Sequence, residues 1–170
     1  MLIADMQFFA GWEIGDYFTY DLNVALDIEG DSEIIFDFSE ADQAKPWSVV
    51  WQRETKRLVD SVNKGEYSFF LLPTGDYNLD ITSQISRQGD AQITHNLRVV
   101  SGEIGFIEAA GALETFYSRE PIPFIYKKPL PNGIYSVTYN IFRDTKNIEV
   151  TIQPVAGQAK LIDSLQNPFQ

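Results

Sequence analysis

The 170-residue sequence contains no cysteine and a single histidine, His95. Without thiols there is no disulfide framework, thiolate nucleophile, Cys-type zinc site or ordinary iron–sulfur ligation. With one imidazole, chemistry that needs two is excluded as well. Basic side chains are also scarce, 13 against 24 acidic ones, for a formal net charge of −11. Such a field repels a phosphate backbone and no basic cluster offsets it, so no nucleic-acid partner is expected. No run approaches the roughly 20 apolar residues of a membrane span. The start of the chain lacks the basic region and apolar stretch of a secretory signal. These absences lead to the expectation of a cytoplasmic protein, with no membrane partner. The length suits one domain over 1–170 that buries one sizeable core without staples.

The acidity is concentrated. Residues 1–44 hold eleven acids and no lysine or arginine, whereas 45–170 hold 13 acids and 13 bases. The whole net charge therefore belongs to the first quarter of the chain, and a one-signed field of that kind steers basic partners. A disordered tail would be poor in aromatics, yet Phe8, Phe9, Trp12, Tyr17, Phe18, Tyr20, Phe36 and Phe38 are interleaved with the acids. Folding is expected here. The alternation in 21–28 and 34–38 suits two strands with a charged outer face, joined by a turn at Glu29-Gly30-Asp31-Ser32.

Aromatic and β-branched runs bounded by Gly, Pro, Asn and Asp predict strands over 6–9, 17–28, 33–38, 48–51, 67–72, 77–85, 92–100, 103–108, 122–126, 135–142 and 148–153. Turns are predicted at 73–76, 87–90, 101–102, 131–133 and 144–147. A short C-terminal helix is predicted over 158–165, stopped by Asn167-Pro168, while 53–62 reads equally as a short helix or a strand edge. So many short strands without crossover helices imply an all-β fold, an antiparallel β-sandwich. The pattern Leu-Pro-x-Gly-x-Tyr occurs at Leu72 and again at Leu130, 58 residues later, each time leading into an alternating strand. Two repeated β-hairpin halves and a coincidence of turn chemistry are equally consistent with it.

The search for chemistry is short. Ile93, His95, Leu97 and Val99 share one face of a predicted strand, so His95 reads as a core or edge histidine bonded to a neighbour. No nucleophile elbow, Walker loop or dinucleotide fingerprint is present, no Ser-x-x-Lys arrangement stands in a supportive context, and the glycines at 102, 105 and 111 read as turn residues. Paired carboxylates of a glycosidase cannot be picked from 24 acids without geometry, which leaves a carboxylate hydrolase as a trailing third reading. The oxygen-rich stretch 27–33 lacks the register of an EF-hand and reads as a solvated hairpin tip. The expectation is no enzyme, no metal and no cofactor. Trp47 and Trp51, four apart, would share one face of a strand, and exposed they would make a carbohydrate platform.

The opening Ile3-Ala4-Asp5-Met6-Gln7-Phe8-Phe9, the segment Pro121-Ile122-Pro123-Phe124 and the paired strand entries resemble the small acidic β-sandwich proteins related to competence protein J. That resemblance implies a nuclease inhibitor. The physics of the charge points the same way, since a surface built for phosphates is basic and a folded acidic face can occupy it. The first functional expectation is thus a non-enzymatic inhibitor or immunity-type protein with a basic protein partner, using Asp27, Glu29, Asp31, Glu33 and Asp37. The alternative is a carbohydrate or small-ligand module using Trp47 and Trp51.

Overall fold

The first strand, β1 (Leu2–Asp5), is buried along its whole length, with Leu2, Ile3 and Ala4 fully inaccessible. Its first three positions, covered on both faces, are all apolar, so it shows no alternation. The computed structural model describes residues 1–12, 47–72, 76–108, 121–155 and 161–165, and for 47–54 the backbone only. The remaining elements are α1 (Met6–Ala10), α2 (Trp47–Lys64), β2 (Tyr67–Phe69), β3 (Asn78–Thr82), β4 (Ala91–Val99), β5 (Glu103–Ile107), β6 (Phe124–Pro129), β7 (Gly133–Phe142) and β8 (Asn147–Pro154). They build two four-stranded sheets, β2-β1-β5-β6 and β3-β8-β7-β4.

Two apolar clusters define three layers. On one face of the first sheet, Leu2, Ala4, Phe69 and Ile107 pack with Phe9 of α1 and with Leu58, Val59 and Val62 of α2. On its other face, Ile3, Ile104 and Phe106 meet Ile93, Leu97, Val137, Tyr139, Ile141, Ile148 and Val150 of the second sheet. The expected stacking of two sheets is present, with helices added outside one of them.

The helices correct two expected strands. Residues 6–9 form α1 because Asp5 caps it, its carboxylate accepting from Gln7 N at 2.8 Å, while Gly11 closes the far end. Residues 48–51 lie inside α2, which also settles 53–62 as helix. Val49 and Val50 favour a strand locally, but Leu58, Val59 and Val62 repeat at helical spacing and bury one side, and packing overrides local propensity. Lys56 and Asp60 pair at 3.0 Å on the exposed side. Gly65, at φ 73°, ends α2 in a Schellman turn, with Glu66 N donating to Ser61 O and Gly65 N to Val62 O.

Four further expectations change. β3 and β8 run parallel, so the structure is not purely antiparallel. β3 and β4 occupy opposite edges of their sheet, joined by residues 83–90 crossing the outer face, whereas β7 and β8 form a direct hairpin. The two Leu-Pro-x-Gly-x-Tyr entries therefore do not open equivalent hairpins. Residues 161–165 are irregular where the end of a helix was expected, because Asn63 takes both the N–H and the C=O of Ile162. Gly105 sits in mid-strand rather than in a turn: a Cβ there would lie 2.5 Å from the Phe124 ring and 2.9 Å from that of Phe9. Those two rings meet edge to face with centroids 5.0 Å apart. The strands expected over 17–28 and 33–38 lie outside the described residues. No helix among the described residues is long and apolar enough to cross a membrane.

Candidate functional site

Asp27, Glu29, Asp31, Glu33 and Asp37 all lie outside the described residues. Trp47 and Trp51 begin α2, not a strand, and the structure describes only their backbone. The groups with chemical character that the structure does bring together carry little signal in the sequence.

One set lies between the sheets. Ser68 of β2 places its Oγ 2.8 Å from His95 Nδ1 and 2.6 Å from the Tyr139 hydroxyl. A serine–imidazole contact at this distance is the first requirement of a nucleophile and its base. The second requirement is access, and it is missing: Ser68 and Tyr139 are 0 % exposed and His95 2 %. Burial also pushes the Tyr139 phenol well above its ordinary range, despite the opposing Ser68 bond, so it stays protonated. Ser68 Oγ, with one proton to donate and two lone pairs to accept with, can serve both neighbours at once. The reading of His95 as a core histidine bonded to a neighbour agrees with this arrangement. Ser68 and Tyr139 carried no local signal, because only the pairing of strands distant in sequence brings them to His95.

A second set covers the outer face of the second sheet. Register aligns Gln92, Asn140, Glu149 and Asp80 in one row and Thr94, Thr138, Thr151 and Thr82 in the next. Thr94 and Thr138 bond through their hydroxyls at 3.1 Å. Residues 83–90 lie across this face like a strap, held largely by side chains. Glu149 accepts from the Ser86 hydroxyl and from Ser86 N, and Asn140 donates to Arg87 O at 2.8 Å and to Glu149 at 3.1 Å. Gly89 N donates to Asn140 Oδ1 at 2.8 Å, and a Cβ on Gly89 would stand 2.6 Å from Ile141 O. Only glycine lets the strap approach the sheet so closely. Beside it opens a recess of about 560 Å³ lined by Ile85, Arg87, Gln88, Asp90 and Gln92, with no aromatic ring. These hydroxyls, amides and the buried carboxylate bond to one another and fasten the strap to the sheet.

Two carboxylates tie the structure to pH. The Ser86 hydroxyl, with Asn140, the Ser86 amide and the Arg87 charge, outweighs burial and holds Glu149 below its ordinary value. For Asp5 burial acts upward, but the amides of Ser101, Val100 and Gln7 and the Ser101 hydroxyl overcome it and lower the pKa. Both groups thus release their protons more readily in the folded chain than in the unfolded one. Their contribution to stability is complete above the unfolded values, about 4, and is lost as pH falls through the folded values. Urea midpoints measured from pH 7 to pH 3 should fall steeply below about pH 4, and Glu149→Gln should flatten the descent. An unchanged profile in that variant would remove Glu149 from the cause.

Among the described residues, no three His, Asp or Glu side chains gather closely enough to hold a metal ion. No family model, curated protein or solved structure matches the chain.

Proposed function

We propose that the protein is a non-enzymatic binding protein on a β-sandwich scaffold, an inhibitor or immunity-type partner of a basic protein such as a nuclease. The observation that carries this reading is the segregation of charge: eleven acids and no base in 1–44, against 13 of each in 45–170. A mixed surface would give solubility alone, whereas a one-signed region accelerates encounter with an oppositely charged site and disfavours like-charged competitors. The inaccessibility of the Ser68–His95 pair supports a binding role over hydrolysis. Asp27, Glu29, Asp31, Glu33 and Asp37 are the proposed contacts, chosen from the concentration of acids in that stretch, and the resemblance to competence protein J-like proteins supports the inhibitor role. A carbohydrate site at Trp47 and Trp51 gains nothing from the strap recess, whose lining offers no ring for a sugar to stack on.

The test is capture from the native lysate at low and high salt, followed by kinetics with the purified partner. A basic protein should be recovered at low salt, and its association rate should drop about tenfold or more when salt is raised or when the five acids are changed to their amides. A partner bound equally well at both salt concentrations, or by the neutralised variant, would overturn the reading.

A further inference from the structure

Residues 161–165 rest against α2 without any secondary structure of their own. Leu165 is 8 % exposed and joins the cluster that contains Leu58, Val59, Val62 and Trp12, with Ile162 packed partly against it. Asn63 adds a polar tie at the Ile162 backbone. Asn63 Nδ2 donates to Ile162 O at 2.9 Å, and Ile162 N donates to Asn63 Oδ1 at 2.9 Å. A side-chain amide that takes the N–H and the C=O of one residue reads a backbone as a neighbouring strand would, with no demand on the side chain. The two anchors, three residues apart, supply the selectivity.

We propose that this seat on α2 is a peptide-binding groove, closed in cis by the chain's own segment and able to take a partner's unstructured peptide carrying Ile-x-x-Leu anchors. The seated segment defines the ligand: two aliphatic side chains flanking two polar, exposed positions, Asp163 and Ser164. It also defines the competition. Among the described residues, no backbone-to-backbone hydrogen bond ties 161–165 to the rest of the protein. Within 161–165, two anchors and one side-chain amide are set against the entropy of ordering the segment, and that is the balance a competing peptide must tip. Tethering favours the cis segment, because a segment attached to the chain is present at roughly millimolar effective concentration. A rival peptide then succeeds where it is concentrated, or where the cis segment is weakened. This inference is independent of the acidic surface.

The probe is a fluorescein-labelled peptide of residues 158–170, titrated into the full chain and followed by anisotropy. Leu165→Asp in the protein releases the cis segment and leaves the groove walls intact, so it should bind the peptide about tenfold or more tighter than the unaltered chain. Adding Asn63→Ala to that protein should reverse the gain, and a peptide with aspartate at both anchor positions should not bind. If Leu165→Asp prevents folding, Leu165→Ala and the side-chain amide resonances of Asn63 in the unaltered chain at millimolar peptide give the same information. No saturable binding to the released protein, or binding indifferent to Asn63, would overturn the proposal.

Discussion

Asp5→Ala is expected to destabilise the protein by about 3 kcal/mol, from the loss of a helix cap and of two further amide partners. Asp5 is 4 % exposed, and its carboxylate accepts three backbone bonds, from Gln7 N at 2.8 Å, Val100 N at 2.7 Å and Ser101 N at 2.9 Å. The first starts α1. The other two hold the corner at which the chain leaves β4 in the second sheet and enters β5 in the first. A lost cap costs about 1 kcal/mol, and each amide left unpaired in a buried place about 1–3 kcal/mol. Water can relieve part of this, because Val100 is 48 % exposed. For a chain of this size the melting temperature should fall by roughly 10 °C. Asp5→Asn should recover less than half of the loss, since its NH₂ presents a donor to amides that are donors themselves. Hydrogen exchange at Val100 and Ser101 should quicken in both variants. A corner as protected as in the unaltered chain would show that Asp5 does not hold it.

The strands whose two sides differ are the legible ones. In β4, Ile93, His95, Leu97 and Val99 are buried and Gln92 and Arg98 exposed, so the alternation can be read from the residues. β7 and β8 are equally plain over most of their length, and their turn carries Lys146 at φ 49° next to Asn147. β1 is illegible for the opposite reason, since burial on both faces removes the alternation that marks a strand. α2 is hidden at its start by the β-branched pair Val49 and Val50. Order within the sheets is out of reach. Nothing near Leu72 or Leu130 says that one entry leads to a strap over the sheet and the other to a hairpin.

The same division applies to the candidate sites. His95 can be placed on an inward face from its neighbours alone. The partners it meets, Ser68 and Tyr139, are 27 residues before it and 44 after it, and only strand pairing unites them. Glu149 and Asn140 read locally as outward polar positions on separate strands. Their burial follows from the strap, which no local pattern announces. The clamp between Asn63 and Ile162 spans 99 residues and belongs to the same class. Charge behaves differently because it adds up along the chain, so the acidity of 1–44 follows from counting side chains alone.

Ser68→Ala should cost about 3–4 kcal/mol, because it strips a hydrogen-bond partner from two buried groups at once. His95 Nδ1 and the Tyr139 hydroxyl both depend on Ser68 Oγ, at 2.8 Å and 2.6 Å, and neither site is open to replacement water. The two groups lie on β4 and β7 of the second sheet and Ser68 on β2 of the first, so the bonds fasten one sheet to the other. Tyr139→Phe leaves Ser68 its bond to His95 and should cost less, about 1–2 kcal/mol. In the double variant one orphan disappears with the phenol, so the combined loss should fall short of the sum by about 1 kcal/mol or more. Strict additivity would deny that the three groups form one network. The cycle also separates structure from catalysis: a sealed serine cannot meet a substrate, so an acyl-ester probe should label the unaltered protein and Ser68→Ala equally little. Labelling that vanishes with Ser68 would mean that the sheets open far enough to expose it, and the non-enzymatic reading would then fail.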